Sequence, residues 1–334
     1  MSMSPGERGR AVEEVQRRVL FFGGEDEIAN AYRKWCPPRW SIDFFDELDA
    51  DELSEALRSA DAFIHRDRPI RNEHLAAAGR VRVIQRHGVG LDSLDVDLIR
   101  AHHVPVCANP EGTEAVAEHA VMLILAAMRN LCEMNLDVKN GHWRRDRFSP
   151  RSRSLVGASV GIAGYGRIGR AVARRLRTFG CRTRVYSRSA RPGGSTGSDG
   201  PLVTFVRSIE ELFATSEVVT LHLPLTSETL GVVDTRLLKN LNPGSVLVNT
   251  ARAGLLRTAD VVRALEDGTL SAAAVDVMND TGSLDQDPLI THPRVIATPH
   301  AAAATRDTFD RKVRFTFANL DRAAEGQPLL ERVA

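Results

Sequence analysis

A glycine-rich turn, GYGRIG at residues 164–169, constrains the fold of this chain more than any other feature. It follows an apolar segment typical of a buried strand, SVGIA, and opens a helical one, RIGRAVARRL. In that setting the first glycine makes a tight turn, the second lets the backbone approach a pyrophosphate, and the third lets helix and strand pack closely. The alternative is a tight turn without a ligand. We predict a dinucleotide site formed by Gly164, Tyr165, Gly166, Arg167, Ile168 and Gly169.

Short apolar strands alternate with charged helical segments on both sides of one long apolar helix, predicted over residues 113–130. The predicted strands are VLFF at 19, AFI at 62, VRVIQ at 81, VPVCA at 104, SVGIAG at 159, TRVYS at 183, EVVTLHL at 217, SVLVNT at 245, SAAAVDV at 271 and RVIATP at 294. A last helix at about 305–323 carries Phe309, Val313, Phe317 and Leu320 on one face. In a chain of 334 residues this rhythm predicts an α/β protein with two doubly wound parallel-sheet domains.

Composition excludes several classes of partner. Lys and Arg number 44 against 43 Asp and Glu, so the chain lacks the basic excess typical of proteins that bind nucleic acid or an anionic membrane. The four cysteines show no CxxC spacing, which predicts neither a metal centre nor disulfides and fits a reducing compartment. The longest apolar run, VMLILAAM, is far shorter than the roughly 20 residues of a membrane span, and the N-terminus lacks a secretory signal. We therefore expect a cytoplasmic protein with a small-molecule ligand.

The strand after the glycine turn indicates which dinucleotide is bound. An acidic residue about 20 positions beyond the turn would hold the ribose hydroxyls of NAD. Here the strand ends in VYSRS, so Ser187, Arg188 and Ser189 stand where that carboxylate is expected. Ser and Arg can hydrogen-bond and neutralise a 2′-phosphate, which predicts NADP as the preferred cofactor, with NAD possible. The alternative is that the arginine is a solvated loop charge.

Three further stretches stand at strand ends or at the start of a helix: RHGVGLDSLD at 86–95, NTARAGL at 249–255 and TPHAAAAT at 298–305. Ligands of doubly wound domains bind at such strand ends. An arginine among small residues can hold a carboxylate, glycine-flanked amides can bind its oxygens, and a histidine can exchange a proton near neutral pH. Together with the nucleotide turn, these groups suit the reduction of a 2-keto acid.

These motifs, in this order, resemble the D-isomer-specific 2-hydroxyacid dehydrogenase family. The resemblance runs from about Val19 to Gln327 and also includes VAEHAVMLILAAMR, LHLPLTSETLGVV, LVNTARAGLL and AAVDV. It implies a Rossmann nucleotide-binding domain, residues 111–299, inserted into a flavodoxin-like substrate domain formed by residues 1–110 and 300–334. It also implies a homodimer.

The resemblance implies a role for individual residues. Arg252 would bind the substrate carboxylate and carbonyl, and His300 would donate the proton during reduction. The backbone at Val89 and Gly90 would hold the carboxylate, with His87 lining the pocket. Further residues would lie along the cofactor: Thr113, Leu223, Pro224, Thr229, Thr250, Ala251 and Asp276, the last at the nicotinamide amide. The alternatives are structural: a capping or packing role for His300, a helix-end cation at Arg252, and an acceptor of backbone amides at Asp276.

The chain departs from the family pattern beside the catalytic histidine. The family has a Glu five residues after the Asp of DV, and here that position is Thr281. A hydroxyl can orient the imidazole ring but supplies no charge, so the pKa of His300 would lose the rise that a carboxylate gives. Asp280, one residue earlier, is the candidate replacement. Neighbouring side chains of an extended strand point to opposite faces, so Asp280 would face His300 only if a turn at Gly282 re-aims it. The alternative is that no carboxylate replaces the glutamate and His300 works without one.

The function expected from these observations is NADPH-dependent reduction of a small 2-keto acid to its D-2-hydroxy acid, with glyoxylate or hydroxypyruvate as first candidates. Within the same class, a phosphoglycerate dehydrogenase-like enzyme without a regulatory domain is the alternative. A different class is a nucleotide-sensing binding protein of the corepressor type, because related corepressors share this fold.

Overall fold

The computed structural model describes residues 16–24, 27–188, 203–278 and 283–334. The chain divides into two compact units. The first unit contains the residues up to Pro110 together with Phe309–Ala334, and the second unit contains Glu111–Thr308. The second unit therefore extends beyond residue 299, where the sequence predicts its end, to Thr308.

The elements follow an alternating order of strand and helix along the chain. The strands are β1 Arg17–Phe22, β2 Trp40–Phe44, β3 Ala62–His65, β4 Ile84–Arg86, β5 Val106–Cys107, β6 Ser159–Ala163, β7 Arg182–Tyr186, β8 Thr204–Phe205, β9 Val218–Leu221, β10 Ser245–Asn249, β11 Leu270–Val275 and β12 Val295–Ala297. The helices are α1 Glu27–Trp35, α2 Ala50–Ser59, α3 Asn72–Ala77, α4 Val96–Ala101, α5 Thr113–Met128, α6 Leu131–Lys139, α7 Arg145–Phe148, α8 Arg167–Leu176, α9 Ile209–Ala214, α10 Thr235–Leu238, α11 Thr258–Glu266 and α12 Arg306–Ala324.

The described strands of the first unit form a parallel sheet in the order β2-β1-β3-β4-β5. This is the flavodoxin-like order, in which the chain reverses direction across the sheet between β1 and β3. Strand β1 is buried on both faces, as a central parallel strand requires, because its side chains alternate between two cores. Val19 and Phe21 pack with Tyr32 of α1, whereas Leu20 and Phe22 pack on the opposite face. Burial of each of these side chains stabilises the fold by about 1.5–3 kcal/mol.

The described strands of the second unit form a parallel sheet in the order β12-β11-β10-β9-β6-β7-β8. This is the Rossmann order, extended by one strand at β12, and the reversal lies between β6 and β9. Helices α5 and α8 pack on one face of this sheet, and α9, α10 and α11 pack on the other. The prediction of two doubly wound parallel-sheet domains is confirmed.

Two strands were not predicted from the sequence, and both lie at a sheet edge. Strand β2, WSIDF, alternates polar with apolar residues and is short, and β8 contains only Thr204 and Phe205. The long apolar helix predicted over 113–130 is α5, which ends at Met128, and the last predicted helix is α12. Within the described ranges no single helix is long and apolar enough to cross a membrane, although the bent pair Pro110–Met128 and Leu131–Lys139 meets that test by length and composition alone.

Candidate active site

The glycine turn between β6 and α8 has the geometry that its sequence predicts. Gly164 has a φ of +100°, and a Cβ at this position would lie 2.4 Å from the backbone oxygen of His222, so only glycine fits. A Cβ at Gly169 would lie 2.1 Å from the backbone oxygen of Gly164, so this glycine allows α8 to pack against the end of β6. At Gly166 a Cβ would meet no atom within 4 Å. The backbone there borders open space, which is the room that a pyrophosphate needs.

Two further observations show that this turn suits a dinucleotide. Helix α8 begins at Arg167 without a side-chain cap, and the N-terminus of a helix attracts an anion. The hydroxyls of Tyr165 and Thr250 are buried and have no hydrogen-bond partner among the described residues. Buried hydroxyls without a partner are rare in proteins, and a bound cofactor would supply partners at this site.

Among the described residues, no group of His, Cys, Asp and Glu side chains could hold a metal ion.

The loop after β9 combines predicted cofactor residues with one that sequence analysis did not identify. The Thr229 hydroxyl donates to the backbone oxygen of Pro224 at 2.7 Å and accepts from the Thr226 amide at 2.8 Å, so it stabilises the loop that begins at Leu223. His222 hydrogen-bonds the Thr220 hydroxyl at 3.0 Å, and burial lowers its pKa to about 4. His222 is therefore neutral at physiological pH and supports the glycine turn through its backbone.

The end of β7 carries the residues predicted to select the cofactor. Ser187 is half-buried, and Arg188 is exposed and paired with Glu228. Ser189 lies outside the described residues. An exposed ion pair contributes at most about 1 kcal/mol, so a phosphate can compete with Glu228 for the guanidinium.

The turn after β10 holds Arg252 through a neighbouring amide side chain. The Ala251 N–H donates to Oδ1 of Asn249 at 3.0 Å, and Nδ2 of Asn249 donates to the Arg252 backbone oxygen at 2.9 Å. The guanidinium of Arg252 donates to the Ala251 oxygen at 2.8 Å. Asn249 is fully buried, so its bonds are shielded from water and fix the turn. Sequence analysis did not identify Asn249.

The loop that carries His300 is fixed by Asp276. His300 is exposed and has a φ of +53°, a left-handed conformation that is costly for a histidine. The Asp276 carboxylate, fully buried at the end of β11, accepts from the Thr298 hydroxyl at 2.6 Å and from the amides of Ala301 and Ala302, each at 2.9 Å. These charge-assisted bonds offset the strain at His300. They also connect Ala301 and Ala302 to the end of β11 within the second unit.

Asp276 thus accepts backbone amides, which is the structural role named as the alternative for this residue. A second side chain joins it from α5: Nε2 of His119 lies 3.1 Å from the Thr298 hydroxyl and 3.5 Å from the Asp276 carboxylate. The sequence contains no local signal for this contact, because His119 and Thr298 are 179 residues apart.

Arg252, Asp276 and His300 follow the adjacent strands β10, β11 and β12, so the parallel sheet brings them to one edge. Thr113 is the first residue of α5, within the same unit. Asp280 is the candidate carboxylate beside His300, and Thr281 stands at the family's glutamate position. Both lie outside the described residues.

In the first unit, the loop after β4 presents backbone amides. Among the described residues no acceptor bonds the N–H of Val89 or Gly90, and the Val89 side chain is 43% exposed. The loop is fixed through its carbonyls: Nε of Arg86 donates to the Gly90 oxygen at 2.9 Å, and the Asn109 N–H donates to the Gly88 oxygen at 3.0 Å. Two adjacent amides with free N–H groups can bind a carboxylate.

His87 lies beneath this loop. It is buried, and its Nδ1 lies 3.0 Å from the Tyr32 hydroxyl, which also contacts the Thr316 hydroxyl at 3.2 Å. Burial, together with the positive charges of Lys312, Arg66 and Arg86, lowers the pKa of His87 well below 6.5. His87 is therefore a neutral hydrogen-bonding group at physiological pH. Burial also raises the pKa of its partner Tyr32 above the usual range, so the Tyr32 hydroxyl keeps its proton.

Comparison with known proteins agrees with this arrangement. The family model described as D-isomer specific 2-hydroxyacid dehydrogenase, NAD binding domain, matches residues 121–302. The structure of an NADPH-dependent glyoxylate/hydroxypyruvate reductase from Sinorhizobium meliloti, solved with NADP and malonate, superposes with a TM-score of 0.81 at 26% identity. The match covers 96% of this chain and 97% of that one.

Two relatives are similar in sequence. The D-3-phosphoglycerate dehydrogenase of Mycobacterium tuberculosis is 35% identical over 272 residues, which are 81% of this chain and 50% of that protein. This chain thus spans about half the length of that relative. The glyoxylate reductase of Aeropyrum pernix is 35% identical over 259 residues, 76% of each chain. On these matches, with the glycine turn and the Arg252 and His300 loops in family order, the chain belongs to the D-isomer specific 2-hydroxyacid dehydrogenase family.

Proposed function

We propose that this protein is an NADPH-dependent reductase that converts a small 2-keto acid into its D-2-hydroxy acid. The observation that carries the proposal is the pair of supported loops in the second unit. Asn249 fixes Arg252, Asp276 fixes the loop of His300, and both loops leave the same edge of the sheet as the glycine turn. Preorganised groups of this kind are the main source of rate enhancement in enzymes.

Each side chain has a distinct chemical task in this proposal. Arg252 binds the substrate carboxylate and polarises the keto group through its guanidinium. His300 holds the proton that the carbonyl oxygen receives when the keto carbon is reduced. When bound, the nicotinamide supplies the hydride. The glycine turn, Thr250 and Tyr165 hold the nucleotide, and Asp276 acts on the reaction by positioning His300.

The proposed preference for NADPH is supported by the end of β7. Ser187 and Arg188 offer a hydroxyl and a guanidinium there, and Glu228 holds Arg188 only through an exposed ion pair. Steady-state kinetics with both cofactors test this preference. A higher kcat/KM with NADPH supports it, and a higher value with NADH contradicts it.

The activity is tested by following NADPH oxidation with glyoxylate, hydroxypyruvate and 3-phosphohydroxypyruvate. The second and third substrates are included because the relatives include reductases of hydroxypyruvate and a phosphoglycerate dehydrogenase. Turnover of any of them, lost on Arg252→Gln, supports the proposal. Tight binding of the nucleotide without turnover of any 2-keto acid would instead favour a nucleotide-sensing binding protein.

We also propose that the protein forms a homodimer through α5, α6 and the segment before α7. Large apolar side chains are exposed along this part of the second unit, and Trp143 is 86% exposed. The others are Met122, Leu131, Leu136 and Val138. Large exposed apolar side chains concentrated in one segment favour a protein interface there. Light scattering after size-exclusion chromatography tests the dimer, and a monomer at micromolar concentration contradicts it.

A further inference from the structure

We propose that His119 of α5 is a positioning residue for the reduction. Its Nε2–H holds the Thr298 hydroxyl, and through Thr298 it fixes the backbone that presents His300. This inference rests on the proposed function, because it treats His300 as the proton donor. It adds a side chain of helix α5 to the groups that fix the geometry of that donor.

Small side chains allow α5 to pack directly on the strand that carries Asp276. Ala120 and Ile124 of α5 are buried in the same hydrophobic core as Ala272 and Ala274 of β11. Alanine side chains on the strand leave room for the helix at the close-packed density of a protein interior. His119 lies next to Ala120 in the helix, and its side chain is only 15% exposed. The packing therefore brings a polar side chain of α5 to the end of β11.

The imidazole of His119 contacts two of the groups that support the His300 loop. Nε2 lies 3.1 Å from the Thr298 hydroxyl oxygen and 3.5 Å from Oδ1 of Asp276. The Asp276 side chain is only 1% exposed, so water does not compete for these contacts. Hydrogen bonds in such surroundings are stronger than exposed ones and polarise one another when they form a chain.

The direction of this chain follows from the single proton of the Thr298 hydroxyl. The 2.6 Å distance from that hydroxyl to Oδ1 of Asp276 is typical of a charge-assisted O–H···O⁻ bond, so the carboxylate uses the proton. The Thr298 oxygen therefore faces His119 as an acceptor. Nε2 of His119 must carry a proton, since an unprotonated nitrogen would set its lone pair against that of the oxygen. Donors thus run in one direction, from His119 through Thr298 to Asp276.

Thr298 is connected to His300 through its backbone. The His300 N–H donates to the Thr298 oxygen at 3.0 Å, and the Thr298 N–H donates to the Val275 oxygen at 2.9 Å. The residue between Thr298 and His300 is Pro299, whose ring fixes φ and stiffens the link. The left-handed φ of +53° at His300 persists only where the surroundings hold it. A shift of the Thr298 side chain would therefore change the direction of the His300 ring.

A role in packing alone would require the volume of the imidazole and not its Nε2 proton. Substitutions that separate volume from the donor distinguish the two roles. Leucine fills similar space without a donor, whereas glutamine carries an N–H donor on a side chain of similar length. Thr298 offers the same comparison, because valine removes the hydroxyl and serine keeps it.

Steady-state kinetics of 2-keto acid reduction with NADPH measure the positioning role. His119→Leu should lower kcat about three- to tenfold and change KM for the keto acid by less than about twofold, because it displaces the proton donor and leaves Arg252 in place. His119→Gln should recover most of the wild-type kcat. Glu118→Gln is the matched control, a neighbour in α5 whose side chain is 68% exposed, and it should keep wild-type kinetics.

A double-mutant cycle tests whether His119 acts through Thr298. Thr298→Val should lower kcat at least as much as His119→Leu, and Thr298→Ser should retain most of the activity. The double variant His119→Leu/Thr298→Val should have a kcat within about twofold of that of Thr298→Val, because both changes break the same chain. Losses that multiply in the double variant would show that His119 acts by another route.

Two measurements on the full-length protein need no turnover. Hydrogen exchange at the amides of Ala301 and Ala302 should accelerate about three- to tenfold in His119→Leu and stay near the wild-type rate in His119→Gln. Nuclear magnetic resonance of protein with 15N-labelled histidine should show a proton on Nε2 of His119, with the signal identified by its absence in His119→Gln.

Three results would overturn the proposal. They are a wild-type kcat in His119→Leu, equal losses of kcat in His119→Leu and His119→Gln, and a neutral His119 ring with its proton on Nδ1. If no 2-keto acid is reduced, the proposed function fails, while the exchange rates and the tautomer still decide whether His119 holds the loop.

Discussion

Each unit contains a buried charged group, Asp276 in the second and Lys312 in the first, and the two groups are accommodated in opposite ways. In the second unit, the Asp276 carboxylate accepts three hydrogen bonds, and Asn249 bonds the Arg252 turn from two sides. In the first unit, Lys312 is buried beside Arg66 and Arg86 without a partner among the described residues. The first arrangement fixes geometry before a ligand arrives. The second leaves a positive charge buried without compensation, which costs stability.

The largest effect on kcat is expected at His300, whose loop is fixed by Asp276. His300→Gln removes the proposed proton donor and should lower kcat by about 10²- to 10⁴-fold. The matched control is His103→Gln, an exposed histidine of the first unit with a φ of +58°, close to the +53° of His300. Steady-state kinetics of 2-keto acid reduction measure both variants. Equal activity of His300→Gln and wild type would remove His300 from the mechanism.

Asp276→Asn tests the support of the His300 loop. The Asp276 carboxylate accepts from Thr298, Ala301 and Ala302, whereas an asparagine amide can accept only at one oxygen. The change should therefore lower the free energy of unfolding of the second unit by about 3 kcal/mol. Hydrogen exchange at the Ala301 and Ala302 amides should accelerate accordingly. Thr298→Val, which removes a single hydroxyl, should cost only about 1 kcal/mol. Unchanged exchange at both amides in Asp276→Asn would show that other contacts fix the loop.

Lys312→Met tests how the buried charge of the first unit affects the free energy of unfolding. The pKa of Lys312 falls from 10.5 to about 8 in the folded state, so the unfolded chain binds more protons between these values and wild-type stability rises with pH across that window. Below pH 8 the buried charge therefore costs up to about 3 kcal/mol. Lys312→Met should unfold at higher denaturant concentration than wild type at pH 7, and the difference should shrink as the pH rises from about 8 to 10.5. A less stable variant at pH 7 would mean that the lysine has a partner.

Gly166→Ala separates nucleotide binding from folding. A Cβ at Gly166 meets no atom within 4 Å, so stability should change by less than about 0.5 kcal/mol. The methyl group would occupy the space next to the turn, and the affinity for NADPH should fall about tenfold or more. Gly164→Ala is the contrasting variant, because its φ of +100° and the 2.4 Å approach to His222 should cost about 2 kcal/mol or more. Wild-type affinity of Gly166→Ala, measured by fluorescence titration, would contradict the site.

The smallest effect is expected at the end of β7. Arg188→Ala should raise KM for NADPH by about three- to tenfold and leave KM for NADH nearly unchanged, because only NADPH carries the 2′-phosphate. Glu228→Gln should lower KM for NADPH by less than about fivefold, since it removes an exposed competitor. Equal effects of Arg188→Ala on both cofactors would contradict a role in selecting between them.

Local sequence patterns predicted the glycine turn, both sheets and the loops that carry Arg252 and His300, because each depends on neighbouring residues. The bonds of Asp276 to Ala301 and Ala302 cross 25 and 26 residues, so no local pattern reveals them. Lys312 was missed for a related reason. A lysine next to Val313 looks like a solvated neighbour of the apolar stripe, and only the packing of α12 within the first unit buries it.

The most direct measurement is kcat for the reduction of glyoxylate, hydroxypyruvate and 3-phosphohydroxypyruvate with NADPH, compared between the wild-type protein and Asp276→Asn. If the Asp276 carboxylate positions His300 for proton donation, Asp276→Asn should lower kcat at least about tenfold, because the loop of His300 loses acceptors for its amides. Reduction of these acids by Asp276→Asn at the wild-type kcat would contradict this account.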